Sequence, residues 1–546
     1  MRIYASISVF ANIHNIDKGD SMPVKIDTGL DNKRIGINMA FSLVAFVLNL
    51  FIGFFITPYI TENLGSDAYG FVKLANDFAN YASLASIALN SMASRFIMLE
   101  REQKNLKGAR KFYSSVTIAN VILSAVLAIP AILCVAFVDQ ILDVPVSLLL
   151  EVRLTFAVTF INFLLNLACS TFGNCYYLTN RLEVSSIQTM RANLIRVVCI
   201  LALYAAFSPN ISFLAIGSLV STVFLVVCNL YYHRKLTPDL QFDRHSFDWA
   251  AVREVLAAGI WNSLTKLSQI FSSGLDLLVT NLFIGSLEMG YLSIAKTIPN
   301  LISSLNSTVA NAFSPNMMQL YAQGDMERLK KASISAMRFM CLFVTVPSAI
   351  LITMGKEFYS LWVPGQPAEM ITFLSVLTVI NSCVTGPMQP LYQIFTITNK
   401  VRQSSKVMIL YGFSSILCTY ICLRTTALGL YAVAGVSLIG SIIVALCYHL
   451  PFAAIYLKLP WYTFFPAIGK SVLSMVVVCV VGVLINCIFV LEGSWLMWFA
   501  GAITTGCIGI YINALLILSK EERKSLIGIV LAKIRRGRNE KDSDTK

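Results

Sequence analysis

Residues 64–98 read LGSDAYGFVKLANDFANYASLASIALNSMASRFIM, and residues 284–318 read IGSLEMGYLSIAKTIPNLISSLNSTVANAFSPNMM. At a shift of 220 residues they share Gly65 with Gly285, Ser66 with Ser286, Gly70 with Gly290 and Ala75 with Ala295. Further along, Asn80 meets Asn300, Ser83 meets Ser303, Ser94 meets Ser314 and Met98 meets Met318. Chance supplies about three identities over such a window. Each stretch opens with a glycine-bearing turn and runs on as an apolar segment striped with Ser, Asn and Lys. A bilayer core about 30 Å thick takes roughly 20 apolar residues in a helix. The two stretches therefore read as repeated, polar-faced membrane helices.

The rest of the 546 residues agrees. The chain is 56% apolar and 13% charged, with a mean hydropathy of +0.71. Soluble domains carry about 25% charged residues. That deficit excludes a soluble enzyme, a disordered chain and a secreted disulfide scaffold, and it makes nucleic acid a poor account of the net charge of +13. Fourteen apolar stretches of spanning length lie near 36–60, 71–98, 114–138, 148–176, 184–207, 211–232, 256–281, 291–318, 334–354, 370–398, 405–423, 428–456, 466–491 and 494–518. The expected fold is an all-α polytopic membrane protein with 14 transmembrane helices. It divides into a segment 1–34, a six-helix lobe 35–232, a linker 233–255, a second six-helix lobe 256–457, an extra helix pair 458–519 and a tail 520–546. A six-helix repeat keeps both copies in one orientation, a plan used by secondary transporters with a site between the halves.

Orientation follows from Lys and Arg in the connections. With a cytoplasmic N-terminus, inner segments hold most of them, including Arg101, Lys104, Lys107, Arg110 and Lys111, whereas outer segments hold Lys356 and Arg424. Outer connections carry acids such as Glu62, Asp67, Asp139 and Glu288. Both termini are thus expected on the cytoplasmic side of a bacterial inner membrane. The first 34 residues lack the apolar core of a signal peptide, and Met22 is an alternative start to Met1. In the tail, Leu526, Ile527, Val530, Leu531 and Ile534 alternate with basic residues, a pattern for a helix on an anionic lipid surface or for a solvated basic tail. Thirteen cysteines form no CxxC and four histidines are scattered, so no metal site or cofactor is expected.

Polar residues recur on one face of the second span (Lys73, Asn76, Asp77, Asn80, Ser83, Asn90, Ser94) and of the eighth (Ser293, Lys296, Thr297, Asn300, Ser303, Ser304, Ser307, Asn311). The first span carries Asn38, Ser42 and Asn49, and the seventh Asn262, Lys266, Gln269, Ser273 and Asp276, with Asn49 matching Gln269 at the same shift. Helix-to-helix hydrogen bonding explains one such stripe. Four in related positions point to a water-filled cleft. Each intramembrane charge costs about 2.5–3.5 kcal/mol on insertion scales, so it needs water, a partner or a function. Lys73 and Asp77 are spaced i,i+4 and placed to pair. Lys266 and Lys296 have no partner on their own faces, and Arg196 lies near mid-depth of the fifth span. The expected cleft is net cationic, suited to an anionic cargo with phosphate, carboxylate or sugar hydroxyls. Asp77 and Asp276 are then candidates for coupling to protons or another cation.

The LGSDAYG turn (64–70), GYLSIA (290–295), EFYSLWVPG (357–365) and LGLYAVAG (428–435) resemble the polysaccharide transporters. These are Wzx-type O-antigen and capsule flippases of the multidrug/oligosaccharidyl-lipid/polysaccharide exporter superfamily. The resemblance implies two six-helix lobes arranged as a V and alternating access driven by a proton or sodium gradient. The implied cargo is an undecaprenyl-diphosphate-linked oligosaccharide, with membrane lipids, a polysaccharide polymerase and glycosyltransferases as partners. It extends a general functional role to Lys73, Asp77, Lys266, Asp276 and Lys296. Lys266, Lys296, Lys73 and Arg196 would hold the anionic groups, while Asn49, Gln269, Asn80 and Asn300 would meet hydroxyls. A multidrug or organic-ion antiporter would favour an acidic, aromatic cleft instead. A peptidoglycan lipid-precursor flippase remains a close alternative. A membrane glycosyltransferase or polymerase would need a catalytic segment in water, and no DxD, phosphate loop or carboxylate pair stands in one.

Overall fold

A computed structural model describes residues 53–523 apart from 180, 312, 399, 489–492 and 520–521. Asn49, the N-terminal segment with its two possible starts and most of the basic tail lie outside the described residues. Helical residues 53–63 (α1) continue the expected first span. The long helices that follow are α2 Ser66–Glu102, α3 Leu106–Ala136, α4 Leu149–Cys169, α5 Leu182–Ala206, α6 Ser212–Leu236 and α7 Trp249–Gln269. After them come α8 Asp276–Phe283, α9 Ser286–Asn311, α10 Met326–Trp362, α11 Ala368–Thr385, α12 Val401–Thr425, α13 Leu430–Val444, α14 Phe465–Ile488 and α15 Trp495–Leu516. No strand occurs among the described residues.

Eleven of these helical segments are long and apolar enough to cross a membrane, among the described residues. The expected first, seventh and eighth spans fall outside that count for identifiable reasons. The first lies largely outside the described residues. The seventh is interrupted by a π turn at Ile270–Gly274, which separates α7 from α8. The eighth, α9, is long enough but is the polar-striped helix itself. Two other expected spans change course along their length. The fourth tightens at Ser170–Gly173 yet remains one spanning segment, Val146–Leu178, whereas the tenth is shorter than expected and ends at Thr385 before the short helices Gln389–Leu391 and Tyr392–Ile397. Gly386, Pro387 and Pro390 account for the end of the tenth, because proline supplies no backbone donor and clashes with the preceding turn.

Local chemistry fixes where helices begin. The Asn105 side chain accepts from the Gly108 N–H at 3.1 Å to start α3, and Asp325 accepts from the Arg328 N–H at 3.0 Å to start α10. Gly65 takes φ 94°, a left-handed turn that a residue with a Cβ resists, and α2 begins immediately after it.

Helix α2 lies at the centre, packed on α3 and α4 along one side and on α7 and α9 along the other. Helix α10 is the most enclosed, because α9, α11, α14 and α15 all pack on it. In lipid, apolar burial alone does not hold helices together, so close packing and polar ties decide the arrangement. Asn513 Nδ2 donates to Thr345 Oγ1 at 2.6 Å, and Asn486 Nδ2 donates to the Thr353 carbonyl at 2.9 Å. At Met354 the α10 backbone leaves helical geometry (φ −128°, ψ 16°), and its carbonyl accepts from Trp498 Nε1 at 3.1 Å. These bonds fasten the last two helices to α10.

Candidate functional site

Two polar cavities flank the first third of α2. One, of about 220 Å³, is enclosed by α1, α2, α4, α5 and α6 and is lined by Thr57, Tyr69, Lys73, Asn76, Asn162, Arg196 and Ser218. The other, of about 370 Å³, is enclosed by α2, α8, α9, α11, α12 and α13 and includes Lys73, Asp77, Asp276, Lys296, Asn300, Asn381, Tyr411 and Ser437. Lys73 lines both. Its Nζ lies 5.2 Å from the centroid of the Tyr69 ring, a cation–π distance, in place of the short i,i+4 bond to Asp77 that its spacing allowed.

The larger cavity is organised around one ion pair. The π turn delivers Asp276 to the first turn of α8, where the helix dipole favours a carboxylate. Lys296, from the third turn of α9, pairs through Nζ with Asp276 Oδ2, each side chain only 15% exposed. Ser437 Oγ donates to the other carboxylate oxygen at 3.2 Å, and Tyr411 OH donates to the Ser437 carbonyl at 3.0 Å. Alongside, Ser441 Oγ donates to Asn381 Oδ1 at 2.6 Å. Lys296 thus has a partner that its own helix face could not reveal.

Charge is distributed differently from the single cationic cleft expected. In the larger cavity Lys73 and Lys296 stand opposite Asp77 and Asp276, and the charges balance. In the smaller one Lys73 and Arg196 stand with no acidic residue among the described lining residues, so the excess positive charge gathers there.

The polar stripes also divide. On the half of α2 nearer the linker, Asn90 and Asn120 exchange reciprocal amide bonds of 2.9 Å, Asn120 adds bonds to Ser170 and Thr171, and Ser94 donates to Asn174 at 2.9 Å. Those residues tie helices together instead of lining a cleft. Asn76 bonds back to the Val72 carbonyl at 2.7 Å. By contrast, Asn80 on α2 and Asn300, Ser303, Ser304, Thr308 and Asn311 on α9 are exposed. Gln269 is exposed on α7, and Lys266, half-buried, is not among the residues lining either cavity.

Asn162, Asn381, Tyr411 and Ser437 are absent from the sequence reading. The available signal was weak, because each sits among small polar residues of its span with no charge to single it out. The basic cluster after α2, expected to mark orientation, has acidic partners on the linker. Arg101 pairs with Asp239 at 3.0 Å, Arg110 donates to the Asp239 carbonyl at 2.7 Å, and Lys111 pairs with Asp248. Ser114 and Ser115 accept from the Asp243 and Asp248 N–H groups. The linker is held against the α2–α3 turn. No group of His, Cys, Asp and Glu suited to a metal ion occurs among the described residues.

The helical bundle around α2 has the fold of solved membrane transporters, at low sequence identity. The lipid II flippase MurJ in an inward closed conformation matches with a TM-score of 0.63 at 14% identity, over 87% of this chain and 98% of that one. A multidrug resistance MATE family transporter of the MOP superfamily, inward-facing, matches with a TM-score of 0.60 at 15% identity, over 78% and 97%. Sequence takes the assignment further. Residues 64–362 match the family described as polysaccharide biosynthesis protein, and the chain is 31% identical over 410 residues to the uncharacterized membrane protein EpsK of Bacillus subtilis, spanning 75% of this chain and 80% of that protein. The chain belongs to the polysaccharide biosynthesis family that its turn motifs resemble.

Proposed function

We propose that the protein flips undecaprenyl-diphosphate-linked oligosaccharide units from the cytoplasmic to the outer leaflet by ion-coupled alternating access, for assembly of a surface polysaccharide. It does so with fourteen spans, both termini cytoplasmic, in two repeated six-helix lobes followed by an extra pair. The repeat is supported by element positions. Helices begin at Ser66 and Ser286, and at Leu106 and Met326, the latter pair preceded by the caps Asn105 and Asp325. It is supported again by the cavities. Ile56, Thr57, Lys73, Asn76 and Asn162 line one, and Asp276, Leu277, Ser293, Lys296 and Ser382, at 220 positions further on, line the other.

The observation that carries the functional reading is the charge divergence at these paired positions. The second half has an ion pair where the first has Ile56 and Asn76, and the first half has Lys73 where the second has Ser293. One cavity is suited to an anionic headgroup, held by Lys73 and Arg196. The other is suited to ion coupling through Asp276 or Asp77. Lys266 and Gln269 on α7, and Asn80 and Asn300 on the facing stripes, are assigned to contacts with the sugar chain as it passes. A cavity with no carboxylate among its described lining residues disfavours organic cations, which separates this reading from multidrug antiport.

A deletion strain should accumulate lipid-linked repeat units on the cytoplasmic face, and Arg196→Ala and Lys73→Ala should each lose export while remaining inserted. Lys266→Ala and Lys296→Ala test the remaining basic positions in the same assay. Normal surface glycan in the deletion strain, with no second flippase present, overturns the proposal.

A further inference from the structure

The duplicated turn has a use that polar stripes and cavities leave unexplained. At the end of the molecule opposite the linker, its two copies meet. A Cβ on Gly290 would lie 2.4 Å from the Ser66 carbonyl carbon and 2.6 Å from the Asp67 nitrogen, and one on Gly70 would lie 3.1 Å from the Gly290 Cα. Helices α2 and α9 therefore touch backbone to backbone, which only glycine permits.

Around this crossing the two halves grip each other in a reciprocal pattern. Asp143, in the connection after α3, donates its N–H to Asn281 Oδ1 at 3.0 Å and accepts at its carbonyl from Asn281 Nδ2 at 3.1 Å. Its carboxylate accepts from the Ser286 N–H at 3.3 Å, at the start of α9 where the dipole favours a negative charge. In the opposite direction, Gln366, in the connection after α10, accepts from Ser66 Oγ at the start of α2. Ser66 and Ser286 are the repeated serine of the quoted turn. Each half thus extends the connection after its third long helix onto the other half's repeated serine. A further bond between Tyr69 OH and Thr297 Oγ1, 3.0 Å, lies just beneath. Asn281 is 1% exposed, so water does not compete for its two bonds.

We infer that the repeated turn, with Asp143, Asn281 and Gln366, forms a two-way latch that shuts one mouth of the transport path, and that the described state is the one closed at that mouth. The exposed polar face on the linker half of α9 fits a path open at the other end. This inference rests on the two-lobe, alternating-access reading above but not on the identity of the cargo. It also explains why Gly70 recurs as Gly290 in the second copy: the two glycines face each other across the interface between the halves.

The test uses full-length protein freed of its native cysteines, carrying one reporter, Ser293→Cys, which lines the larger cavity and is 2% exposed. Labelling by a membrane-impermeant maleimide is measured from each side. Asn281→Ala should raise labelling from the turn side about fivefold to tenfold, the change in open population when about one net hydrogen bond is lost, and should lower it from the linker side. Gly290→Val should do so more strongly. Ser66→Ala combined with Gln366→Leu, which adds no bulk at the crossing, should act in the same direction if the valine variant fails to insert. Unchanged labelling in inserted variants, or a rise from both sides together, overturns the latch. Labelling that shifts in these variants while cells lacking the protein keep normal surface glycan upholds the latch and removes the cargo assignment instead.

Discussion

The Lys296–Asp276 pair allows the sharpest energetic prediction. Replacing Lys296 with Met leaves Asp276 as a carboxylate with, among the described residues, the Ser437 hydroxyl still bonded to it, in a site where both charged side chains are 15% exposed. Removing one member of a buried ion pair costs about 3–5 kcal/mol, and an uncompensated charge at membrane depth costs about 2.5–3.5 kcal/mol on insertion scales. The retained hydroxyl bond offsets about 1 kcal/mol of that, so the expected loss is about 2–3 kcal/mol. Asp276→Asn should cost a similar amount, since it strands the ammonium. The double variant Lys296→Met/Asp276→Asn removes both charges and should recover about 2 kcal/mol relative to the sum of the singles. Thermal unfolding of the four purified proteins in one detergent, followed by tryptophan fluorescence or loss of monodisperse protein, measures this cycle. Strict additivity would refute the reasoning, because it would mean that neither charge depends on the other. Export measured on the same four proteins separates structure from function. All three variants should fail to export even where stability returns, and export by the double variant would remove Asp276 from the coupling role.

Two further outcomes are expected away from the cavities. Asn120→Ala should lower the thermal midpoint, with a cost of about 1–2 kcal/mol for losing its bonds to Asn90, Ser170 and Thr171, yet leave export intact; lost export at normal stability would return Asn90 to the transport path. Asp248, on the linker, is held below the usual carboxylate range by its hydrogen bond from Lys111 and then by the Ala250 N–H. A carboxyl group lowered on folding contributes stability above its ordinary value near 4 and loses it as pH falls through the lowered value. The clasp between the linker and the α2–α3 turn should therefore hold from pH 7 to about pH 4 and loosen only below. Emission from the adjacent exposed Trp249, with that residue as the reporter in a variant stripped of other tryptophans, checks this, and a transition between pH 7 and 5 contradicts it.

Much of this architecture was legible in the sequence because lipid imposes a coarse rule. Long apolar runs must become helices, and connections must carry the charges. The polar faces of the second and eighth spans stood out for the same reason, since every Asn or Lys there violates the rule. What the stripes meant was less legible. Asn80 and Asn300 are exposed whereas Asn90 and Ser94 are bonded to neighbouring helices, although all four share one periodicity. Period identifies a face, but only the neighbouring helix determines whether that face meets water or another amide. The ion pair was hidden in the same way, because Lys296 and Asp276 lie on separate helices twenty residues apart in the chain.

By itself, the sequence determined that this is an all-helical membrane protein of a polysaccharide biosynthesis family, built with a duplicated glycine–serine turn. Those properties are written in local composition and spacing, which the solvent and the backbone read directly. The tertiary structure decided that positive charge collects in one cavity, that an ion pair neutralises the other, and that the two copies of the turn close upon each other. Each of these depends on distances between residues on different helices, and no local pattern encodes the separation between one helix and the next.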